Sequence, residues 1–233
     1  MPRPEPVSRR DRPAKPPLSR AAILDAAVGI VRHEGAGKLT MRRLAAELDT
    51  GPASLYVYVR NTTELNALLI DRYLSELDLT WEADTPWRER LQRVLDDYTA
   101  LLAGQPGLAY AALTTWPDGP HYLDLLELLM RLLHAAGVGT RSAARGVDLL
   151  LQHATASATE WAFNATDAGQ QLSDLAETLD AADPERHPTL HAAGSAAFTS
   201  GAPLERNRWA ITALVNGIVA SDASEERPPP SSA

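Results

Sequence analysis

Apolar residues in this chain recur at intervals of three and four, and no stretch sustains the strict alternation of a half-buried strand. From Ser19, a good N-cap, the residues Ile23, Ala26, Ala27, Ile30 and Val31 form one such stripe until Gly35 and Gly37 stop it. Thr40 can cap a second, short helix whose inner side is Leu44, Ala45 and Leu48, and Asp49, Thr50 and Gly51 then interrupt it. Pro52 suits the first turn of a third helix, Ala53 to Tyr58. Asn61 followed by Glu64 reads as a capping box opening a fourth, with Leu65, Leu68, Leu69 and Tyr73 on one face. The spacing predicts four short helices over residues 19–79.

Beyond Thr80 the stripes lengthen. Pro86 stands where a helix would begin, and Trp87, Leu91, Val94, Leu95, Tyr98, Leu101 and Leu102 keep helical register until Gly104 and Pro106. A shorter piece, Leu108–Leu113, precedes a turn at Trp116–Pro120. The segment His121–Ala136 is apolar almost all round, as in a helix enclosed by its domain. Thr140 is placed to cap a long helix reaching about Phe163; residues 164–186, polar and weakly periodic, read as a loop containing one short helix. A last helix, Leu204–Ser221, carries Ile211, Leu214, Val215, Ile218 and Val219 in register. The fold class that follows is all-α. The proline-broken segment 1–18 reads as a disordered basic arm, and the tail 223–233 as disordered.

Composition matters most through its unevenness. The net charge is −8, yet residues 1–60 hold 11 Lys and Arg against 6 Asp and Glu, while the remainder holds 11 against 24. A basic front on an acidic body suits a small module that meets phosphate through local rather than global charge. The absence of cysteine removes disulfides, thiolate metal sites and thiol catalysis. With no long apolar run and no apolar signal core after Met1, neither membrane insertion nor export is expected, and the cytoplasm is the expected location.

Two short helices joined by Asp49-Thr50-Gly51 have the layout of a helix-turn-helix, in which the second helix enters the major groove by its first turn. Ala26-Ala27, Gly35, Leu39-Thr40, Arg42-Arg43-Leu44-Ala45, Leu48, Ser54-Leu55-Tyr56 and Tyr58-Val59-Arg60-Asn61 make the segment 19–75 resemble the TetR family. The resemblance implies a three-helix DNA-binding domain over 19–64 and a larger helical ligand-binding and dimerisation domain over 65–222. It places Lys38, Thr40, Arg42, Arg43, Ala53, Ser54, Tyr56, Tyr58, Arg60 and Thr62 at the DNA. Thr40 would cap the second helix with its N–H facing a phosphate, and Arg42 could grip guanine O6 and N7. Ala53 and Ser54 would meet base edges, while Tyr56 and Tyr58 would bond phosphate oxygens. Pro52 and Ala53 stand where relatives often carry polar residues, and Thr62 where many carry a lysine, so direct base readout by this helix is expected to be modest.

Past residue 80 the resemblance rests on helix order, on His187-Pro188-Thr189-Leu190 and on the apolar final helix from Trp209 to Ile218. It implies a homodimer on a palindromic double-stranded operator, its two reading helices one helical turn, roughly 34–36 Å, apart. The interface candidates are Val147, Leu151, Ala154 and Ala158 with Ile211, Leu214, Val215 and Ile218. A small organic effector is expected against Trp116, His121, Tyr122, Met130, His153, Trp161, Phe163 and Asn164, aromatics interspersed with polar groups. No cofactor or metal is expected: His187 and His191 share a helical spacing but lack a third ligand. The rival readings are an enzyme, for which the six scattered histidines offer no catalytic motif, and a helical adaptor whose basic head meets acidic protein.

Overall fold

The helical punctuation of the sequence sets the boundaries of the folded chain. The computed structural model describes residues 17–81 and 84–225. Ser19 Oγ accepts from the Ala22 N–H at 3.1 Å and opens α1, Arg20–Glu34. Gly35, at φ 88°, ends it in a backbone region that L side chains rarely adopt, and a 3₁₀ turn, Ala36–Lys38, follows. Thr40 Oγ1 accepts from the Arg43 N–H at 3.0 Å to open α2, Met41–Glu47. Pro52 occupies the first turn of α3, Pro52–Leu55, and Asn61 Oδ1 accepts from the Glu64 N–H at 2.8 Å to open α4, Thr62–Leu74. The three side-chain caps expected within this head are formed. The third helix is shorter than expected, because residues 56–58 form a turn instead.

Leu44, Leu55 and Val59 from the α2–α3 unit meet Ile23, Ala27, Ile30 and Val31 of α1 and Leu65 and Leu69 of α4 in one cluster. Two ion pairs brace α1 against α4 and the turn that follows it, Arg20–Glu64 at 2.7 Å and Arg32–Glu76 at 2.8 Å. Each joins residues 44 apart in sequence, so the two helices run parallel and in register.

The body consists of α5 (Trp87–Ala103), α6 (Pro106–Ala112), α7 (Pro120–Ala135), α8 (Thr140–Asp180), α9 (Pro188–Ala193), α10 (Ala196–Thr199) and α11 (Pro203–Glu225). Leu91, Val94, Leu95, Tyr98 and Leu102 of α5 pack on α8, and Leu125, Leu129, Leu132 and Leu133 of α7 close the same core. The expectation that α7 is enclosed all round is corrected: Leu123, Asp124, Glu127 and Arg131 form an exposed side. Arg90, almost fully buried, donates to the carbonyls of Asp78 and Thr80 and so pins the connection from α4 to α5.

Two further expectations are corrected. Thr140 does not cap α8; Gly139 precedes the helix, and its N–H donates to Asp222 Oδ2 of α11 at 3.0 Å. A tertiary acceptor has replaced a local one. Residues 164–180 continue α8 rather than forming a loop, making a helix of 41 residues, about 60 Å long at 1.5 Å per residue. Ala, Leu, Gln and Glu favour helix without tertiary support, and no proline interrupts them. Leu172, Ala176 and Leu179, half-buried, are the faint stripe on this extension, whose other side chains from 170 to 180 are exposed.

Leu95 is fully buried at the α5–α8 contact. Replacing it by alanine is expected to cost about 2–5 kcal/mol, measured as a lower midpoint in urea with an unchanged slope.

Candidate functional site

The exposed end of the head is the first candidate. Pro52, Ala53 and Ser54 are exposed at the start of α3, followed by Tyr56 at 51% exposure, Val57 at 79% and Tyr58 at 38%. Leu55 and Val59, between them, are buried. One side of this short unit therefore anchors it while the other offers small, aromatic and aliphatic surface to the outside. Lys38, Thr40, Arg42 and Thr62, each expected at the DNA, are exposed around the same end. Tyr56 and Tyr58 keep their rings outside, not in the core of the head.

The structure separates the four cationic candidates. Arg43 is tied to Glu34 at 2.5 Å and to Glu47 at 2.8 Å, which raises its guanidinium pKa further through those two hydrogen bonds. Its bond holds the Glu34 carboxyl below the ordinary value. Arg43 thus braces α1 against α2 in the DNA-free chain. Arg60 remains largely exposed but bonds Glu64, whose carboxylate also accepts from the Arg60 backbone N–H at 2.7 Å and from Arg20. Those contacts, the backbone N–H foremost, hold the Glu64 carboxyl low. Arg42, by contrast, bonds no described residue and is exposed. The arm's Arg9, Arg10, Arg12 and Lys15 lie outside the described residues.

The second candidate is a half-open cavity of about 330 Å³ lined by Ile70 of α4, Tyr98 of α5, Ala112 of α6, the connection Leu113, Thr115, Trp116 and Pro117, Tyr122 of α7, and Asp148, Leu151, Gln152 and Thr155 of α8. Tyr98 Oη lies 2.9 Å from Thr155 Oγ1, and burial pushes the Tyr98 phenol up to about 12, so it stays a protonated hydrogen-bonding group near neutrality. Burial raises the Tyr122 phenol as well. The wall combines aromatic faces with hydroxyl, amide and carboxylate groups. A larger hollow, about 670 Å³, lies along α8 and the start of α11, among His153, Ser157, Glu160, Trp161, Asn207 and Trp209.

The expected effector residues therefore do not share one site. Trp116 and Tyr122 line the inner cavity, whereas His153 and Trp161 line the hollow by α11. His121 faces a groove between α4 and α7, and Met130 is half-buried against the core. Phe163 and Asn164 lie outside the residues whose side chains are described. Tyr98, Thr155 and Gln152 went unnoticed in the sequence. A hydroxyl residue on a helix stripe gives no sign of facing a cavity until its neighbours are known.

The interface expectation is also corrected. Val147, Leu151, Ala154, Ala158, Ile211, Val215 and Ile218 are buried within the single chain, and Leu214 packs half-buried on the same core. Gly146 shows how tightly: a Cβ there would come within 3.0 Å of Ile218 and 3.2 Å of Leu133. The opposite faces of the two helices are outermost. They carry Leu149 and Ala156 on α8, and Trp209, Ala213 and Ala220 on α11. Trp209 is 76% exposed.

Comparison with known proteins decides the family. Residues 82–217 match the tetracyclin repressor-like C-terminal domain, and residues 23–67 match the bacterial regulatory proteins of the tetR family. The chain belongs to the TetR family. The repressor DrrR1 of Streptomyces coeruleorubidus is 34% identical over 131 residues, which is 56% of this chain and 48% of that protein. A regulator of Saccharopolyspora erythraea is 32% identical over 137 residues, 59% of this chain and 56% of its own length. The match thus spans about half the length of these curated relatives. Among solved structures, a Streptomyces transcription regulator is 45% identical with a TM-score of 0.76, covering 94% of this chain and 100% of its own. ActR of Streptomyces coelicolor, a TetR family protein solved with actinorhodin, is 31% identical with a TM-score of 0.79, covering 89% of this chain and 99% of ActR. No helix among the described residues is long and apolar enough to cross a membrane.

Arg43→Ala is expected to lower the melting temperature, whereas Arg42→Ala leaves it unchanged. Glu34 is depressed in the folded state, so the ion pair contributes above the ordinary carboxyl pKa of 4.5 and its contribution is lost as pH falls through the lower folded value. The melting difference between Arg43→Ala and the parent should accordingly shrink on acidification, as followed by circular dichroism.

Proposed function

We propose that this TetR-family chain is a dimeric transcriptional regulator whose grip on a palindromic operator is set by a small organic molecule in the cavity between α4 and α8. The observation that carries the reading is that Arg42 on α2 and the first turn of α3 are both exposed in one helix-turn-helix unit, with no described residue bonded to the Arg42 guanidinium. A guanidinium without a carboxylate partner, in one unit with small residues on a firmly anchored helix tip, is ready to exchange water for phosphate or a guanine edge. Ser54 and Ala53 supply adaptable and methyl contacts, and Tyr56, Tyr58, Thr40 and Thr62 hold phosphates. Lys38 and Arg60 add salt-sensitive attraction, and Arg60 must first loosen its bond to Glu64. The acidic body keeps the rest of the surface away from the duplex. Repression is the mode named for the Streptomyces coeruleorubidus relative, and it is the mode proposed here.

The effector is a flat, partly polar organic molecule; ActR, a structural neighbour, is solved in complex with one small molecule, actinorhodin. Tyr98, Tyr122 and Trp116 offer faces for stacking, while Thr155, Thr115 and Gln152 offer polar handles. The dimer forms through the outer faces of α8 and α11. Ala156, Ala213 and Ala220 allow close helix approach, and Trp209 and Leu149 provide the apolar anchors. An intracellular site of action follows from the need to reach chromosomal DNA.

Titration of a labelled duplex from upstream of the gene, at several salt concentrations, tests the reading. A specific complex with a steep negative salt slope is expected. Arg42→Ala should weaken it by about 1–3 kcal/mol and reduce the slope by about 1, with the dimer intact in sedimentation. Failure to bind any such duplex at low salt would remove the proposal. Ala213→Glu places a charge on the outer face of α11 and is expected to yield folded monomers; dimers that survive it would put the interface elsewhere.

A further inference from the structure

We propose that Asp71 couples the effector cavity to the DNA-binding head by acting as the N-terminal cap of a helix other than its own. This rests on the cavity being the effector site and on the chain working as a dimer. The start of α7 cannot cap itself: its N-cap is Gly119, which has no side chain, and its next residue is Pro120, which has no N–H. The missing acceptor comes from α4. The Tyr122 N–H donates to Asp71 Oδ1 at 2.9 Å, and the carboxylate lies at the positive end of α7. Asp71 is buried, at 8% exposure, and sits so close to Gly119 that any Cβ there would overlap its carboxylate. Glycine is required because the carboxylate fills the place of a side chain.

One of the two residues joined by this bond stands at the cavity, and the other is next to one that does. Tyr122 forms part of its wall, and Ile70, the neighbour of Asp71, forms another part. In the other direction α4 and the turn that follows it are fixed to α1 by the Arg20–Glu64 and Arg32–Glu76 pairs. An occupant that displaces the Tyr122 turn therefore pulls on α4 through a directional bond instead of slipping past apolar side chains, and the head moves with α4. Without Asp71 the directional link is lost and α4 meets the body through apolar packing alone: the cavity persists, the head persists, and the heads of a dimer are held less narrowly at one spacing.

The absence of cysteine permits a direct test. Ser54→Cys carries a nitroxide at the tip of α3, and Glu127→Cys carries one on the exposed side of α7. Pulsed electron paramagnetic resonance reads head-to-head and body-to-body distances in the full-length dimer. Asp71→Ala should broaden the narrow head-to-head distribution while leaving the body distances unchanged. Gly119→Ala, by expelling the carboxylate, should do the same. The double substitution should be no broader than Asp71→Ala alone, because the group that alanine would strike is gone. Asp71→Asn keeps an accepting oxygen and should restore the narrow distribution. A head distribution untouched by Asp71→Ala, a body distribution broadened equally, or additive effects in the double variant would each overturn the coupling role alone. No dipolar signal from the otherwise unsubstituted protein would instead overturn the paired regulator on which it rests.

Discussion

Leu65, Leu69, Ile70, Asp71, Tyr73 and Leu74 leave α4 with few free positions, because the helix is buried by the head on one side and by α6 and α7 on the other. A single core runs through both regions, from Ile23 and Leu44 to Leu129 and Val147, with α4 as the element common to them. The head consequently cannot reorient by bending at a linker. It moves only as α4 moves, and α4 moves only if its contacts in the body rearrange together. Capping, ion pairing and cavity geometry all act in this protein through that constraint.

Charge is distributed to the same end. In the head, carboxylates are spent on internal bracing: Glu34 and Glu47 hold Arg43, and Glu64 holds Arg20 and Arg60. Among the described cations of the head, Arg42 and Lys38 carry no such pair and are exposed. A count of arginines in this segment overstates the charge available to phosphate, since several are neutralised locally. Surface pairs of this kind contribute little stability individually, but they fix which arginine is free.

The head was legible in the sequence almost residue by residue. Its caps at Ser19, Thr40 and Asn61 are short-range devices, and its buried stripe repeats at local intervals. The helix-turn-helix layout and the family could be read for the same reason. What escaped the sequence depends on distant partners. Gly139 takes its acceptor from Asp222, and Tyr122 takes its acceptor from Asp71. The interface residues were sought on the more apolar face of α8 and α11, but that face packs in the chain's own core, which periodicity alone does not reveal. Trp116 and Trp161 likewise look alike as aromatics near polar groups, yet they border different hollows. The extension of α8 past residue 163 escaped because a helix that buries little shows little periodicity.

The equal separation within the two α1–α4 ion pairs has an evolutionary reading. Residues inserted between positions 35 and 60 change both separations by the same amount, so each arginine still meets its glutamate. One residue inserted within α1, between Arg20 and Arg32, turns everything after it by about 100° on the helix and parts one pair from the other. The two pairs therefore gauge the spacing within α1 and within the α4 stretch, and leave the length of the segment between them to be set by its own core residues Leu44, Leu55 and Val59.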